Sequence, residues 1–148
     1  MGDFDFLVGN WLVTNRKLRK RLAGSTEWDE FESTSRCWSL FDGAGNVDEF
    51  TFPDGGYGTT LRLFEPAAQQ WTLHWAASHN GMLQPPVVGR FTDGEGRFYG
   101  TDHHEGLPIR VRYVWSTITP TSARWEQAFS MDSGQTWETN WIMDFTRV

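Results

Sequence analysis

Hydrophobic and polar residues alternate most regularly over the last third of the chain. In the segments 109–116, 123–130 and 137–147, large apolar side chains recur at odd-numbered positions. Successive side chains of an extended chain lie on opposite faces, so this period of two predicts three strands, each with one buried face. The predicted buried faces carry Ile109, Val111, Tyr113 and Trp115 in the first strand, Trp125, Gln127 and Phe129 in the second, and Trp137, Trp141, Phe145 and Arg147 in the third.

The preceding part of the chain predicts seven more strands, separated by short segments rich in Gly, Pro and Asp. They are expected at 11–16, 26–40, 47–52, 57–64, 71–78, 87–91 and 97–102. The alternation breaks between Trp28 and Phe31, which predicts a β-bulge there. The segments 80–86 and 103–106 are predicted to be loops, the first because its two prolines cannot donate to a strand ladder.

About ten strands without a convincing helix predict an all-β fold. An antiparallel up-and-down barrel is favoured because closing the sheet removes its edges. A two-sheet sandwich and an incompletely closed barrel are the alternatives. A barrel of this size either fills with side chains or holds one small ligand. We expect a single domain over residues 1–148.

The charge distribution disfavours a nucleic-acid partner. The formal net charge is −6, and five of the thirteen basic residues lie in the run 16–21. This run has two interpretations: a patch for anionic lipid, nucleic acid or a ligand carboxylate, or the solvated end of the first strand, with charges that discourage edge pairing. The second interpretation is favoured because one basic run in an acidic protein is a weak footprint.

The remaining composition suggests a cytoplasmic protein. Cys37 is the only cysteine, so no internal disulfide can form, and no Cys/His spacing suggests structural zinc. The first residues are acidic and do not resemble a secretory signal. No apolar run approaches the ~18 residues of a membrane span, so no membrane partner is expected.

The triplet Gly9-Asn10-Trp11 at the start of the first strand resembles the calycin signature. The resemblance implies that an arginine of the last strand, here Arg147, packs over Trp11. Together with Phe4-Asp5-Phe6-Leu7 and the segment 130–138, this triplet makes the chain similar to an uncharacterised bacterial family of lipocalin-like barrels. That family implies an internal cavity and no assigned activity. Nitrobindins, which are haem-binding barrels, are a more distant resemblance; their haem-binding histidine lies near the C-terminus.

The histidines are weak candidates for chemistry. The chain has no histidine after His104, so haem binding is only a minor alternative. If neighbouring loops cluster at one mouth of the barrel, four residues could meet there: His79, Asp102, His103 and Glu105. Ordinary surface histidines are the favoured interpretation. No metal and no cofactor is expected.

Tyr113 and Gln127 are stronger candidates because they are polar residues on a predicted apolar face, where they could orient a ligand or satisfy each other. Glu49 shares the parity of Val47 and could face inward as an acid or base; a solvent-facing position is the favoured alternative. Three tryptophans could form an aromatic box or simply fill the core: Trp75, Trp115 and Trp141.

Two function classes follow from these residues. The first is a protein that binds a small apolar or aromatic molecule in the barrel, with a ligand set of Glu49, Trp75, His103, Tyr113, Trp115, Gln127 and Trp141. The second is a small cofactor-free enzyme, such as an isomerase, cyclase or decarboxylase, which uses a cavity Tyr, His or Glu as acid or base. A homodimer formed through an outer face is a further expectation that the sequence leaves open.

Overall fold

The chain folds as a single run of antiparallel strands, seen in a computed structural model that describes residues 2–148. The strands are β1 (Gly9–Leu18), β2 (Trp28–Leu40), β3 (Gly45–Thr51), β4 (Tyr57–Glu65), β5 (Gln70–Ala77), β6 (Met82–Leu83), β7 (Val87–Thr92), β8 (Glu95–His104), β9 (Leu107–Ser116), β10 (Ser122–Ser130) and β11 (Glu138–Arg147). Two short 3-10 helices, Asp5–Leu7 and Phe41–Gly43, precede β1 and β3.

Ten of these strands form a closed up-and-down barrel. The hydrogen-bonded order is β4-β3-β2-β1-β11-β10-β9-β8-β7-β5, and pairing of β5 with β4 closes the ring. The predicted fold class is therefore confirmed. The architecture is consistent with a calycin- or lipocalin-like fold.

The extra strand β6 pairs with the same edge of β5 as β7 does. Met82 and Leu83 pair with Ala77 and Ala76, whereas β7 pairs further along β5, at residues 71–73. The prediction of a loop over 80–86 is thus wrong at two residues. The prolines explain why the strand is interrupted, because they cannot donate hydrogen bonds to β5.

The predicted bulge near Trp28 is also wrong. β1 and β2 pair without a register shift from Gly9 and Cys37 to Leu18 and Trp28. Trp28 breaks the alternation because it lies on the outer face, where the Arg16 guanidinium stacks 5.1 Å from its ring centre.

A bulge occurs instead between β10 and β11. Gln127 pairs with Trp141 but Ala128 pairs with Thr139, so Asn140 is an extra residue in β11. One extra residue places every preceding side chain of the strand on the opposite face from the one that simple alternation predicts. Trp137 therefore lies on the outer face, against Arg112 and Tyr99, and its predicted shared face with Trp141 is wrong.

One end of the barrel is plugged by Trp11 and the N-terminal segment, and the predicted packing of Arg147 over Trp11 is confirmed. Trp11 is 1% exposed, its indole donates to the Leu7 carbonyl at 2.8 Å, and the Arg147 guanidinium lies 4.2 Å from its ring centre. Arg147 also donates to the carbonyl of Val8 at 2.7 Å. Gly9 is required beside this pair, because its φ is +128° and an added Cβ would lie 2.5 Å from Arg147 Nη1.

Candidate functional site

The barrel interior contains two neighbouring cavities. The inner cavity has a volume of about 50 Å³ and is walled mainly by aromatic side chains of β3, β5 and β9 to β11. The outer cavity has a volume of about 650 Å³ and is bordered by exposed residues of the β3–β4 turn and the segment 78–85. The barrel is therefore closed at the Trp11 end and hollow toward the opposite end, which we call the mouth.

Four of the predicted site residues line both cavities: Trp75, Tyr113, Gln127 and Trp141. Trp115 lines the inner cavity. The regular alternation of β5 and β9 to β11 explains this outcome, because a strand with one apolar face turns that face inward. These five residues lie together in the structure, and their role in ligand binding stays a prediction.

Glu49 does not reach the cavities, so its place in the predicted ligand set is wrong, whereas the favoured solvent-facing position is confirmed. Its carboxylate lies on the outer face of β3 and accepts a hydrogen bond from Arg36 Nη2 at 3.2 Å. The inward residues of this strand are instead Asn46, Asp48 and Phe50, all buried.

His103 also lies outside. The strand β8 runs on to His104, so the predicted loop at 103 and 104 is wrong, and His103 is exposed on the outer face. Of the four residues expected to meet at the mouth, only His79 and Asp102 line the outer cavity. Glu105 lines a separate groove on the rim.

Gln127 and Trp141 are held in place by buried polar partners. Gln127 Nε2 donates to Asn140 Oδ1 at 2.8 Å, so the bulge residue orients the amide. The Trp141 indole donates to Asn15 Oδ1 at 2.9 Å. The predicted alternative, a hydrogen bond between the side chains of Gln127 and Tyr113, is not observed. Among the described residues, none donates a hydrogen bond to the Gln127 side-chain carbonyl.

Tyr113 offers a hydroxyl to the cavities. Burial raises the pKa of Tyr113 to about 12; Asp102 adds to this effect, whereas Arg21 and Arg62 oppose it. The phenol is therefore protonated at neutral pH and acts as a hydrogen-bonding group. Within residues 2–148 it has no hydrogen-bond partner, which leaves it available to a ligand.

Sequence reasoning missed a buried ion pair in the barrel. Arg62 Nη2 lies 2.6 Å from Asp48 Oδ2, and Arg62 Nη1 donates to Asn46 Oδ1 at 3.1 Å. Asp48 Oδ1 also accepts the Thr60 backbone N–H at 2.8 Å. Burial raises the pKa of Asp48, and Arg62 opposes this shift.

This ion pair also forms part of the cavity wall. Arg62 lines the inner cavity and its Nε–H is buried without a partner among the described residues. No signal in the sequence identified it, because Arg62 lies between Leu61 and Leu63, and these leucines point to the outer face. Hydrophobicity alone would have placed Arg62 outside.

Two residues of the basic run 16–21, Lys17 and Arg21, lie at the mouth of the barrel. Lys17 Nζ lies 4.2 Å from the centre of the Trp141 ring, and the Arg21 guanidinium lies 5.3 Å from that of Phe129. Both cations line the outer cavity and also border the rim groove, which has a volume of about 830 Å³. Burial lowers the pKa of both groups, and for Lys17 the nearby charge of Arg21 lowers it further while Asp54 opposes the shift.

Comparisons with known proteins do not assign the chain. No family model matches the sequence, and no curated protein matches it. In the part of the chain that the structure describes, no helix is long and apolar enough to cross a membrane. Nor do three or more metal-binding side chains of residues 2–148 converge on one point.

Proposed function

We propose that this protein binds a small, mostly apolar or aromatic molecule inside its barrel. The observation that carries the proposal is the aromatic cavity at the mouth, with the Tyr113 hydroxyl and the Gln127 amide in its wall. Small-molecule sites commonly combine apolar walls with a few placed polar groups that orient the ligand.

The size of the cavity supports this function. Its volume of about 650 Å³ falls within the ~300–1,000 Å³ typical of ligand pockets. The inner cavity of about 50 Å³ adds room for a few waters or one small group, since a single water needs only ~10–15 Å³ by the same kind of measure.

The polar groups indicate what the ligand carries. Tyr113 can donate one hydrogen bond, and the Gln127 carbonyl can accept one. A ligand with a carbonyl or hydroxyl group among its apolar atoms would satisfy them. Leaving a buried polar atom of the ligand unpaired would cost ~1–3 kcal/mol, which is enough to orient it.

The test uses the neutral fluorescent probe N-phenyl-1-naphthylamine and two matched variants. Ala77 faces the outer cavity, whereas Ala76 lies on the opposite face of the same strand. Ala77→Phe should fill the mouth and weaken probe binding by about tenfold or more, which corresponds to ~1.4 kcal/mol. Ala76→Phe adds the same side chain outside and should bind the probe like the unmodified protein.

Two outcomes would contradict the proposal. One is that the unmodified protein does not increase the emission of the probe at any concentration tested. The other is that both phenylalanine variants bind the probe equally well, which would place the binding site outside the barrel.

A further inference from the structure

Two cations at the mouth lack the partners that neighbouring cations have. Arg16 pairs with Glu30 at 3.6 Å, and Arg19 pairs with Asp29 at 2.7 Å, both outside the barrel. Within residues 2–148, by contrast, neither Lys17 nor Arg21 forms a salt bridge. They are the cations of the basic run that line the outer cavity.

Partial burial disfavours the charged forms of Lys17 and Arg21, and the face of an aromatic ring compensates each only in part. Each is partly buried against an aromatic ring, and partial removal from water penalises an ammonium or guanidinium group. The proximity of Arg21 to Lys17 adds like-charge repulsion. An anion bound between them would offset both penalties.

The acidic residues of the mouth do not supply that anion. Asp54 accepts the Gly56 backbone N–H at 2.8 Å, and Asp102 accepts that of His103 at the same distance. Neither carboxylate forms a salt bridge with Lys17 or Arg21 within residues 2–148. The charge of Asp54 offsets only part of the effect of burial on Lys17, whose pKa stays lowered.

The buried Arg62 is a poorer site for an anion. Asp48 already neutralises it at 2.6 Å, and the inner cavity of about 50 Å³ would strip a charged group of its water. The charge of a ligand is therefore favoured at the mouth, and its apolar body toward Trp75, Trp125 and Trp141.

From these contacts we infer that the ligand is an apolar organic acid whose anionic head group lies between Lys17 and Arg21 while its body occupies the aromatic cavity. This inference rests on the proposed function and narrows it to a class of ligand. For Lys17 and Arg21 it favours the interpretation of the basic run as a patch for a ligand carboxylate.

The experiment measures displacement of N-phenyl-1-naphthylamine by a matched pair, 2-naphthoate and 2-naphthamide, at pH 7. The two competitors share their rings and differ in charge. We expect the unmodified protein to bind 2-naphthoate about tenfold more tightly than the amide, a difference of ~1.4 kcal/mol. Lys17→Gln and Arg21→Gln should each remove most of this preference, because they weaken binding of 2-naphthoate far more than binding of 2-naphthamide.

Arg16→Gln is the matched control because it removes one positive charge from the outer face of the same strand. It should leave both affinities unchanged. If it weakens 2-naphthoate as much as Lys17→Gln does, the preference comes from the overall field of the protein and the inference is wrong.

Failure of the inference and failure of the proposed function give different results. Two results would contradict an anionic head group between Lys17 and Arg21 and leave the proposal of binding in the barrel intact. One is equal binding of acid and amide; the other is an acid preference that persists in the Lys17→Gln/Arg21→Gln double variant. If the probe and both competitors fail to bind, the proposed function falls and the inference falls with it.

Discussion

Asp48→Asn should destabilise the protein far more than the equivalent change at the next residue. The substitution replaces a carboxylate by an amide of the same shape and leaves the Arg62 charge in the barrel without its counter-ion. Both side chains of this pair are 3% exposed. Removing one partner of a buried pair costs ~3–5 kcal/mol, a large share of the ~5–15 kcal/mol that stabilises a typical domain.

Glu49→Gln is the control. It makes the same chemical change one position along β3, but Glu49 lies on the outer face with 43% of its side chain exposed, opposite an Arg36 side chain that is 64% exposed. Exposed pairs contribute only ~0–1 kcal/mol, so this variant should unfold almost like the unmodified protein.

Urea unfolding followed by tryptophan fluorescence measures both effects. With a slope of ~2 kcal/mol per M, a loss of ~4 kcal/mol moves the midpoint of Asp48→Asn down by about 2 M. Adding Arg62→Met should recover part of this loss, because the uncompensated charge is then removed. Equal midpoints for Asp48→Asn and Glu49→Gln would refute the assignment of Asp48 to the inner face and Glu49 to the outer face.

Three further predictions concern the plug, the thiol and a turn. Trp11→Ala should lower the free energy of unfolding by ~3–5 kcal/mol through lost burial and a cavity under Arg147; an unchanged thermal midpoint would contradict the packing of the plug. Burial raises the pKa of Cys37 to about 11, so the native protein should react with a disulfide reagent at pH 8 only as fast as it unfolds, and rapid labelling of the folded state would show the thiol to be accessible. Hydrogen bonds from the Thr136 hydroxyl and backbone and from Ser130 lower the pKa of Asp132 to about 2. Its contribution to stability is therefore complete above the ordinary value of ~3.9 and is lost as the pH falls toward 2. Asp132→Asn should flatten this part of the acid unfolding curve, and a carboxyl carbon NMR titration with a midpoint near 4 would contradict the prediction.

The last three strands could be predicted because alternation is a local signal. In β9 and β10 one face is almost entirely apolar, so the inward residues Tyr113 and Gln127 followed from parity alone. The packing of Arg147 over Trp11 joins the two ends of the chain, and it was implied by the resemblance of Gly9-Asn10-Trp11 to the calycin signature.

The errors in β3 and β11 concern which face of the strand points inward. In these strands the hydrophobic pattern does not favour one face over the other. In β3 the two faces carry one large apolar residue each, Val47 and Phe50, so the parity of Glu49 could not be decided from hydrophobicity. In β11 the extra residue Asn140 reverses the facing of Trp137, and no Gly or Pro marks that bulge. A one-residue shift exchanges the two faces of a strand, which is why such errors affect whole sets of side chains.

The missed charges have a related cause. Arg62 lies inside because Asp48 and Asn46 on the neighbouring strand satisfy its guanidinium, and a pairing between strands is not visible along either strand alone. Lys17 and Arg21 lie at the mouth because β1 ends there. The run 16–21 therefore has cations both at the cavity and on the outer face, and a uniformly basic sequence does not reveal this division.

The most direct test of binding in the barrel uses the indole N–H signals of the nine tryptophans in a nitrogen–proton NMR spectrum. Four of these residues line the cavities: Trp75, Trp115, Trp125 and Trp141. Three others lie on the outer face: Trp28, Trp38 and Trp137. On titration with N-phenyl-1-naphthylamine, we expect the signals of the first group to move while those of the second stay in place. Movement of the outer signals with the inner ones unchanged would contradict a ligand site inside the barrel.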